Sequence, residues 1–421
     1  MVRALAGKGR GRAIDFHPVS YTPQEVRYLA AHARDITDAA SEVSFARGDA
    51  LARTTALAQR FGTHSRAVAE LLSARHKATG KLPSSWLMCT DSSQQATPLA
   101  VAQQRAARIR QACGDETIVH DVTCSIGTDA AALAAAGLPT IATDIDPARA
   151  LMAHHNLRAG IPGAPATAPW LVGVADALQP VTAAGEARVI VADPARRAGG
   201  RRIARPEDLI PPLPSVMDTY AGRELAIKCA PGLDFDFWDG LVSVTSLGGG
   251  VKEACLYTPG LAGGARREAV VLRDSGGDAG LWRDVFTDQD PDDCTVGDVG
   301  DYLIDPDGAI VRAGLVTHFA TRYGLQQIDE RIAYLTGAAV PPGYSGFPVL
   351  EVTTPKKVKA AVSHYGFGRL EILLRGIAGD PDALRKSYKP KGNAAGAVVL
   401  TRVGSRGVAI ICGERVHAPR D

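Results

Sequence analysis

The stretch Ile118-Val119-His120-Asp121-Val122-Thr123-Cys124-Ser125-Ile126-Gly127-Thr128-Asp129 decides the fold that we predict for this chain. An apolar run ends at an acidic residue, and small residues then lead into an alanine-rich, helix-like segment. Two later runs end similarly, at Thr143-Asp144-Ile145-Asp146 and at Ala192-Asp193-Pro194-Ala195-Arg196-Arg197. Because ligands bind outside the carboxyl ends of strands in open α/β sheets, we expect these turns to share one site. The sequence therefore predicts an α/β fold with a ligand across its strand ends.

The composition is that of an ordinary globular protein. Of the 421 residues, 22% are charged and 46% apolar, and this length predicts two or three domains. The net charge of +2 leaves nucleic-acid binding to a local patch. The seven cysteines are scattered without metal-ligand spacing, so we expect reduced thiols, a cytoplasmic location and no metal site. No apolar run reaches the roughly 18 residues of a membrane helix, and the N-terminus lacks the apolar core of a signal peptide.

Hydrophobic periodicity divides the chain into consecutive parts. Thr22-Pro23-Gln24-Glu25 has the N-cap, proline and glutamate of a helix start, and apolar residues at helical spacing follow. Strand-helix alternation begins near Thr117 and predicts a Rossmann-like parallel sheet. The predicted parts are a disordered or extended start (1–20), a helical N-terminal domain (21–114), a ligand-binding α/β domain (115–275), a linker or loop region (276–310) and a C-terminal α+β domain (311–421).

Two antiparallel hairpins are predicted. The apolar runs 254–257 and 269–272 flank a stretch that contains Gly and Pro, and we expect them to pair and close the parallel sheet. A second pair, 397–402 and 408–412, is expected to form a hairpin around Gly404-Ser405-Arg406-Gly407.

The turn after the first strand indicates S-adenosylmethionine rather than a dinucleotide. It carries one glycine, Gly127, where a dinucleotide fingerprint needs three. Backbone N–H groups from Ser125 to Thr128 are expected to receive the methionine carboxylate, and Asp121 to accept from the ammonium group. The alternative is a strand-turn-helix of an unrelated α/β fold. The predicted cofactor-binding residues are Asp121, Thr123, Ser125, Gly127, Asp129, Asp144, Ile145, Asp176 and Ala177.

Acidic residues at the later strand ends have more than one possible role. We expect Asp144 to bind both ribose hydroxyls, whereas Asp146, just before Pro147, is better placed to cap the next helix. Asp176 is predicted to accept the exocyclic amine of adenine, with the N-cap of a helix as the alternative.

Asp193-Pro194-Ala195-Arg196-Arg197 closes the fourth strand, where class I methyltransferases carry their catalytic edge. In amino methyltransferases this position often reads Asn/Asp-Pro-Pro-aromatic, so that oxygens hold the target nitrogen and the ring stacks on a flipped base. Here Arg196 replaces the ring, and an arginine plane can stack on a base or bind phosphate. We predict Asp193, Pro194 and Arg196 as catalytic residues and Arg197 as a substrate contact. From Arg197 onward, the alternative is a solvated basic loop.

Several longer motifs resemble one family. They are Gln94-Gln95-Ala96-Thr97-Pro98, Asp121 to Asp129, Asp193 to Arg197, Ile227-Lys228-Cys229-Ala230-Pro231-Gly232, Lys252-Glu253-Ala254 and Arg331-Ile332-Ala333-Tyr334-Leu335-Thr336-Gly337. Together they resemble the bacterial class I methyltransferases that carry a C-terminal THUMP-like domain, and the resemblance covers nearly the whole chain. It implies an S-adenosylmethionine-dependent nucleic-acid methyltransferase. Ser125 departs from the glycine that many class I enzymes have in the cofactor turn.

A second resemblance is local. The segment from Asp121 to Ile161 is similar to the cofactor half of trimethylguanosine synthase, which methylates the exocyclic N2 of guanine in RNA. Its Pro-Pro-Trp run is absent here, so the target atom does not carry over. Lys228 and Glu253 are expected at strand edges lining the substrate cleft, although a strand-end lysine can also be a solvated charge.

The C-terminal part is locally basic. Between residues 355 and 406, eleven basic residues face three acidic ones, with Tyr365, Phe367 and Tyr388 among them. Phosphate contacts and stacking rings are what RNA docking needs, and we predict substrate contacts at Lys356, Lys357, Arg369 and Lys389. The alternative is a solvated surface with core aromatics.

Three functions stay open at this stage. The first is an S-adenosylmethionine-dependent methyltransferase acting on a base nitrogen of tRNA or rRNA. The second is a non-catalytic RNA-binding protein with a degenerate methyltransferase fold. The third is a methyltransferase acting on a small molecule or a protein. The RNA species, the methylated atom and the oligomeric state do not follow from the sequence.

Overall fold

The computed structural model describes residues 21–420 apart from 166, 184, 196, 199–200, 203–204 and 275–279, and it does not describe the side chains of 47, 197, 198, 201 and 202. Two predictions therefore lie outside the described residues, namely the disordered or extended start (1–20) and the catalytic role of Arg196. The side-chain contact predicted for Arg197 lies outside them as well.

The first part of the described chain is helical. Its helices are α1 (Pro23–Ala31), α2 (Ala33–Glu42), α3 (Ala50–Phe61), α4 (Ser65–Lys77), α5 (Thr90–Gln95) and α6 (Leu99–Cys113). The predicted capping box is confirmed, since Thr22 Oγ1 accepts from the Glu25 N–H at 3.2 Å and Glu25 Oε2 accepts from the Thr22 N–H at 2.7 Å. Buried Leu71 and Trp86 share a core with Ile126 of the predicted cofactor turn, so the helices pack directly onto the sheet.

The second part forms a large sheet with helices on its faces. Its elements are β1 (Val119–Asp121), α7 (Thr128–Ala135), β2 (Thr140–Asp144), α8 (Pro147–Ala159), β3 (Trp170–Val174), β4 (Val189–Ala192), β5 (Arg197–Ala198), β6 (Arg201–Arg202), α9 (Leu213–Thr219), β7 (Glu224–Cys229), β8 (Leu241–Leu247), β9 (Gly250–Tyr257), α10 (Pro259–Ala262), β10 (Arg267–Asp274) and β11 (Leu281–Thr287). The strand order is β11-β10-β8-β9-β7-β4-β1-β2-β3. Strands β3, β2, β1, β4 and β7 are parallel, and β9 is antiparallel to both of its neighbours. The predicted parallel sheet is therefore correct.

The hairpin predicted from 254–257 and 269–272 is wrong. β9 pairs with β7 and β8, whereas β10 pairs in parallel with β8 and antiparallel with β11. The hairpin instead joins β8 to β9 through Gly248 and Gly249, whose φ angles are +61° and +82°. These are backbone conformations that glycine adopts at low cost. Apolar runs predicted the strands, but the neighbour of each strand depends on the path of the chain through α10.

The stretch 276–310 is not only a linker. β11 lies within it and forms the edge of the large sheet, and a strand of the second sheet follows near its end. The sequence analysis missed β11 because Gly- and Asp-rich segments flank it, as they flank loops. The exposure of its residues alternates, since one face of this edge strand is open to solvent.

The third part is a smaller α+β unit. Its elements are β12 (Tyr302–Ile304), α11 (Gly308–Ala313), α12 (Val316–Arg322), β13 (Gln326–Gln327), β14 (Leu335–Gly337), β15 (Ser345–Thr353), α13 (Val358–His364), β16 (Phe367–Leu374), α14 (Pro381–Tyr388), β17 (Ala394–Val403), β18 (Arg406–Gly413) and β19 (Val416–His417). The predicted hairpin of β17 and β18 is confirmed, with Gly404 at its turn. Helices α13 and α14 cover one face of this sheet through Val358, Leu370 and Val398. In the described ranges, no helix is long and apolar enough to cross a membrane.

Candidate functional site

Neighbouring strand ends bring the predicted site residues together. β2, β1, β4 and β7 lie side by side and run in the same direction, so their carboxyl ends form one edge of the sheet. Asp144, Asp121, Asp193 and Lys228 lie at these ends, in that spatial order. The sheet topology therefore brings together residues that are more than one hundred positions apart in the chain. We call this row of four polar residues at the strand ends the cleft edge.

The turn after β1 is held by backbone hydrogen bonds. Cys124 N donates to Thr143 O at 2.9 Å, and Gly127 N donates to Cys124 O at 2.7 Å. Ser125 has a φ of +50°, a costly conformation for a residue with a side chain. A Cβ at Gly127 would lie 2.7 Å from Leu157 Cδ1, so this glycine is needed for close packing of the turn against α8. The small residue at 127 thus has a structural reason besides the predicted approach of a ligand.

Asp144 closes the same turn from β2. Its Oδ2 accepts from Ser125 N at 2.9 Å and its Oδ1 from Asp146 N at 2.9 Å. Burial raises the pKa of Asp144 above its ordinary value. Each carboxylate oxygen has a second lone pair, so the predicted bonds from ribose hydroxyls remain available. The other part of the prediction is confirmed, because Asp146 Oδ1 caps α8 by accepting from Ala148 N at 2.8 Å.

Asp176 lies beyond the end of β3 and stabilises a turn. Its Oδ1 accepts from Leu178 N at 2.9 Å, as an aspartate does at a turn or a helix start. The residues that follow form a turn rather than a helix, and Ala177 is buried among apolar side chains. The contact of Asp176 with adenine stays a prediction.

A buried charge network lies directly below the cleft edge. Arg105 of α6 bonds Asp129 of α7 at 2.9 Å and Glu253 of β9 at 2.7 Å. Lys228 of β7 bonds the same Asp129 at 3.2 Å and Asp193 at 2.7 Å. Both cations are 2% exposed. The five groups thus alternate in sign from β9 through two helices and β7 to the end of β4.

The network controls the protonation of its members. Burial alone would raise the pKa of Asp129, but Lys228 and Arg105 hold that pKa well below its ordinary value. Burial lowers and the neighbouring carboxylates raise the pKa of Lys228, and the carboxylates prevail, so the lysine stays charged. Asp121 differs, because burial and the nearby negative charge of Asp129 raise its pKa well above the ordinary value. Asp121 therefore protonates more readily than Asp129.

The end of β4 is positioned from two sides. Asp193 N donates to Thr123 Oγ1 at 2.6 Å, which ties β4 to the turn after β1. Lys228 Nζ holds Oδ2 of the Asp193 carboxylate, whose side chain remains 27% exposed. Two residues further on, Ala195 pairs with Ile210, and the backbone of Arg197 then pairs with that of Arg202. Asp193 and Pro194 therefore directly follow the carboxyl end of β4, which is a central strand of the sheet.

The structure changes the interpretation of three predicted residues. Lys228 is not a solvated charge, since it is buried between two carboxylates, and Glu253 is buried beside Arg105. Asp129 is occupied by Arg105 and Lys228 and also accepts from Thr97 Oγ1 at 3.3 Å. Contacts of these three side chains with a substrate or cofactor stay predictions, and their described partners belong to the protein.

Sequence reasoning missed Arg105 and Thr128. Arg105 lies at helical spacing on the buried stripe of α6, with Val101, Ala102, Ala106 and Ile109. A charged residue at an apolar position was therefore the one local signal that could have found it. Thr128 begins α7, is buried, and its Oγ1 has no hydrogen-bond partner among the described residues. Such an orphaned hydroxyl at a helix N-terminus beside Asp121 suits a ligand with a carboxylate.

The predicted C-terminal basic patch is only partly a continuous surface. Exposed lysines lie on and beside α13 and α14, and they are Lys356, Lys357, Lys359, Lys386, Lys389 and Lys391. We call these six residues the lysine face. Arg369 alternates with Leu370, which packs under the helices, so Arg369 lies on the opposite side of the sheet. Arg375 is half-buried and bonds Asp305 at 3.1 Å.

One of the predicted stacking rings is not available. Phe367 is 3% exposed and belongs to the core beneath α13 and α14. Tyr365 stacks on it with ring centroids 5.8 Å apart, and Tyr388 is half-buried against the same core. For Phe367, the alternative that the aromatic residues of this patch belong to the core is correct, because its ring lies on the face of β16 that the helices cover.

Known relatives identify the family. The chain is 42% identical over 368 residues to an S-adenosylmethionine-dependent methyltransferase of uncharacterised activity from Mycobacterium tuberculosis strain H37Rv, covering 82% of this chain and 95% of the relative. The counterpart from strain CDC 1551 / Oshkosh matches equally. A family model described as THUMP domain-like matches residues 345–414. A crystal structure of a candidate methyltransferase from Porphyromonas gingivalis W83 has a TM-score of 0.69 at 17% identity, covering 92% of this chain and 98% of its own.

The chain therefore belongs to the S-adenosylmethionine-dependent methyltransferases. Within that class it is a class I protein with a Rossmann-like sheet, helices before the sheet and a THUMP-like region at the C-terminal end. Its cofactor is S-adenosylmethionine. The predicted fold, family and cofactor are thereby confirmed.

The residues at the cleft edge fit this cofactor. Asp144 and Asp121 are acceptors suited to ribose hydroxyls and an ammonium group, and the orphaned Thr128 hydroxyl suits the cofactor's carboxylate. Ile145 is 40% exposed beside Asp144 and offers an apolar surface for a base. The buried carboxylates beneath the edge are also favourable for a positively charged sulfur.

Proposed function

We propose that the protein methylates a base nitrogen of an RNA, either tRNA or rRNA, at the cleft edge formed by Asp193 and Pro194. When bound, S-adenosylmethionine supplies a methyl group on a positively charged sulfur that needs no activation by the protein. The observation that carries the proposal is the carboxylate of Asp193, partly accessible at the end of β4 and held by Lys228 through one oxygen.

Asp193 would act on the acceptor nitrogen. Among the described residues, the hydrogen bond to its carboxylate reaches Oδ2 only, which leaves Oδ1 to accept from an amino group and orient its lone pair. The nitrogen loses one proton after it gains the methyl group, and the Asp193 carboxylate is an anionic acceptor for that proton. Alignment of this kind contributes much of the acceleration when the electrophile is already strong. Arg196 and Arg197 are proposed contacts to the base or its flanking phosphates.

The lysine face supports RNA as the substrate. Six exposed lysines on and beside two neighbouring helices give a dense positive surface, and lysines bind phosphates without reading sequence. In the described residues, none of the six forms an ion pair. The match of residues 345–414 to a THUMP domain-like family supports the same partner. We propose Lys356, Lys357 and Lys389 as phosphate contacts on this face and Arg369 as a contact on the other side of the sheet.

Transfer assays with an Asp193→Ala variant test the catalytic proposal. Bulk RNA from cells that lack the gene serves as substrate, with tritiated S-adenosylmethionine as methyl donor. We expect transfer to fall at least about 10²-fold, the lower range for loss of a positioned acid-base group, while calorimetry shows unchanged cofactor affinity. The control is Asp292→Ala, an exposed aspartate after β11. Wild-type transfer by Asp193→Ala would remove Asp193 from the reaction.

A groove lined by residues that follow β4 and β7 in the chain favours a second candidate, methylation of a protein or small-molecule amine. It has a volume of about 510 Å³ and combines apolar Leu213, Met217 and Phe237 with four acids, which are Glu207, Asp218, Asp234 and Asp236. This lining suits a cationic amine better than a phosphate. Incubating a cell extract with the labelled cofactor and then digesting with ribonuclease or protease separates the two candidates. Label released only by ribonuclease supports RNA, and label released only by protease supports a protein amine.

A further inference from the structure

Lys228 is an unusual residue to find inside a sheet. Its side chain is 2% exposed, and its ammonium group bonds two carboxylates, Asp193 at 2.7 Å and Asp129 at 3.2 Å. A buried ion pair adds little net stability, because removing both charges from water offsets their attraction. The effect that remains is geometric and electrostatic, since a buried lysine holds a carboxylate in one place and favours its ionised form.

The lysine is itself held from the helical part of the chain. Asp129 accepts from Lys228, from Arg105 of α6 and from Thr97 just before α6. Arg105 is anchored on its other side by Glu253 at 2.7 Å. Its Nη2 is buried without a partner among the described residues, so this geometry is maintained at a cost in free energy. The position of Lys228 therefore depends on α6, which precedes the sheet in the chain.

We propose that Lys228 is a positioning residue for methyl transfer, which binds Asp193 Oδ2 and directs Oδ1 toward the acceptor nitrogen. Arg105 and Asp129 hold Lys228 in place, so helix α6 of the N-terminal part takes part in positioning Asp193 at the cleft edge. This inference rests on the proposed role of Asp193 and deepens it.

Other titratable groups surround this pair. Asp121 lies on β1, Asp129 on α7 and Glu253 on β9, and Arg105 faces them from α6. Lys81 approaches from the loop before α5, where its Nζ donates to the Ser93 carbonyl at 2.6 Å. Burial lowers the pKa of Lys81 to about 8. Its titration therefore affects the alkaline side of a pH profile, whereas the effect proposed for Lys228 is on the acid side.

Two variants of the whole chain are expected to shift the acid side of the pH–rate profile in opposite directions. Lys228→Met removes a positive neighbour of Asp193, so protonation becomes easier and the fall in single-turnover rate moves to higher pH by about one unit or more. Asp129→Asn removes a negative neighbour of Asp193, and Lys228 then interacts mainly with Asp193. Protonation of Asp193 becomes harder, so the fall in single-turnover rate moves to lower pH. The matched control is Lys252→Met, an exposed lysine on β9, which is expected to keep the acid side of the wild-type profile. The assay uses bulk RNA from cells lacking the gene and tritiated S-adenosylmethionine.

A double variant tests whether Lys228 acts through Asp193. In an Asp193→Asn background, adding Lys228→Met is expected to change the single-turnover rate less than threefold, since there is no carboxylate left to position. Lys228→Arg keeps the charge and is expected to restore most of the rate of the wild type. Calorimetric affinity for S-adenosylmethionine should stay within threefold in the Lys228 and Asp193 variants, and the control variant should keep the melting temperature of the wild type.

The outcomes separate this inference from the proposed function. An unchanged acid side in both variants, or an equal loss of rate at every pH, overturns the positioning role even if Asp193→Ala is inactive. If Asp193→Ala keeps wild-type transfer, the proposed role of Asp193 fails first, and the positioning role fails with it. If Lys228→Met does not fold, Asp129→Asn is compared with and without Asp193→Asn. A shift of the acid side that persists without the Asp193 carboxylate comes from Asp121, whose pKa Asp129 also raises, and it overturns the positioning role.

Discussion

The cleft edge and the lysine face are both rich in charge, but they use it in opposite ways. At the cleft edge, Arg105 and Lys228 are 2% exposed and bond three carboxylates, those of Asp129, Asp193 and Glu253. On the lysine face, six cations are exposed to solvent. Buried charges must be paired, so they determine the positions of atoms, whereas exposed charges stay solvated and attract a polyanion through a field that salt screens. The first arrangement suits alignment for a reaction, and the second suits docking of a large substrate.

The strongest test of this contrast is to break the buried network. Arg105→Met should lower the free energy of unfolding by about 3–5 kcal/mol, because Asp129 and Glu253 lose a partner while remaining buried. Urea denaturation measures this loss. The matched control is Arg110→Met on the same helix, where the guanidinium lies 3.7 Å from exposed Asp115. Its change should stay below about 1 kcal/mol, as for other surface ion pairs. Equal losses in the two variants would mean that burial of the network is not what matters.

The second test removes charge from the lysine face. Replacing Lys356, Lys357, Lys386 and Lys389 together by Gln should weaken binding of bulk RNA and flatten its salt dependence. The slope of log affinity against log salt should fall by about 0.7–0.9 for each lysine that neutralises a phosphate. Filter binding between 50 and about 200 mM salt measures the slope. Lys77→Gln on α4 is the control. A slope that does not change would exclude the lysine face as the docking surface.

The third test concerns the carboxyl group that the network does not neutralise. The raised pKa of Asp121 means that the folded protein holds a proton there that the unfolded chain has lost, so stability falls as pH rises from about 4 toward the raised value. Asp121→Asn removes this dependence. Its stability relative to wild type should therefore increase with pH, by about 1 kcal/mol for each unit by which the pKa is raised.

Thermal melting between pH 4 and 8 without cofactor measures the relative stability of Asp121→Asn. Asp115→Asn provides an exposed comparison, for which no trend with pH is expected. A stability difference that shrinks as pH rises would show that Asp121 is ionised and stabilised in the folded protein.

The smallest effect is expected for an ion pair at the lysine face itself. Asp382 pairs with Arg385 across one turn of α14, and the aspartate side chain is 78% exposed. Asp382→Asn should change the free energy of unfolding by less than about 1 kcal/mol, because solvent and side-chain entropy offset most of the attraction. Urea denaturation again provides the measurement. A loss comparable to that of Arg105→Met would contradict the contrast between the two regions.

Much of the fold followed from local patterns in the sequence. The capping box at Thr22, the cap at Asp146 and the hairpin at Gly404 were predictable, because each depends on residues close in the chain. The strand ends that carry Asp121 and Asp193 were predictable as well, since apolar runs and acidic endings mark them. The hairpin between 254–257 and 269–272 was wrong, because strand neighbours depend on contacts far along the chain.

The site was predictable in part. Asp144 and Asp193 were chosen from their places at strand ends, and their roles remain predictions. Arg105 gave only the signal of a charge on the apolar stripe of α6, and its partners could not be read from the sequence, because Asp129 and Glu253 are 24 and more than one hundred positions away. The same holds for the orphaned Thr128 hydroxyl, since burial of one oxygen is decided by the packing around it.

The amino-acid sequence alone determined most of the strands and helices, because alternating apolar runs and short polar turns specify these elements and the residues at strand ends, and its motifs carried the resemblance to the family. Only the tertiary structure decided which charges meet, and it made Lys228 a buried partner of Asp193 rather than a solvated lysine. The physical reason is that local structure depends on nearby residues, whereas the protonation and position of a charge depend on every group that folding brings within a few ångströms.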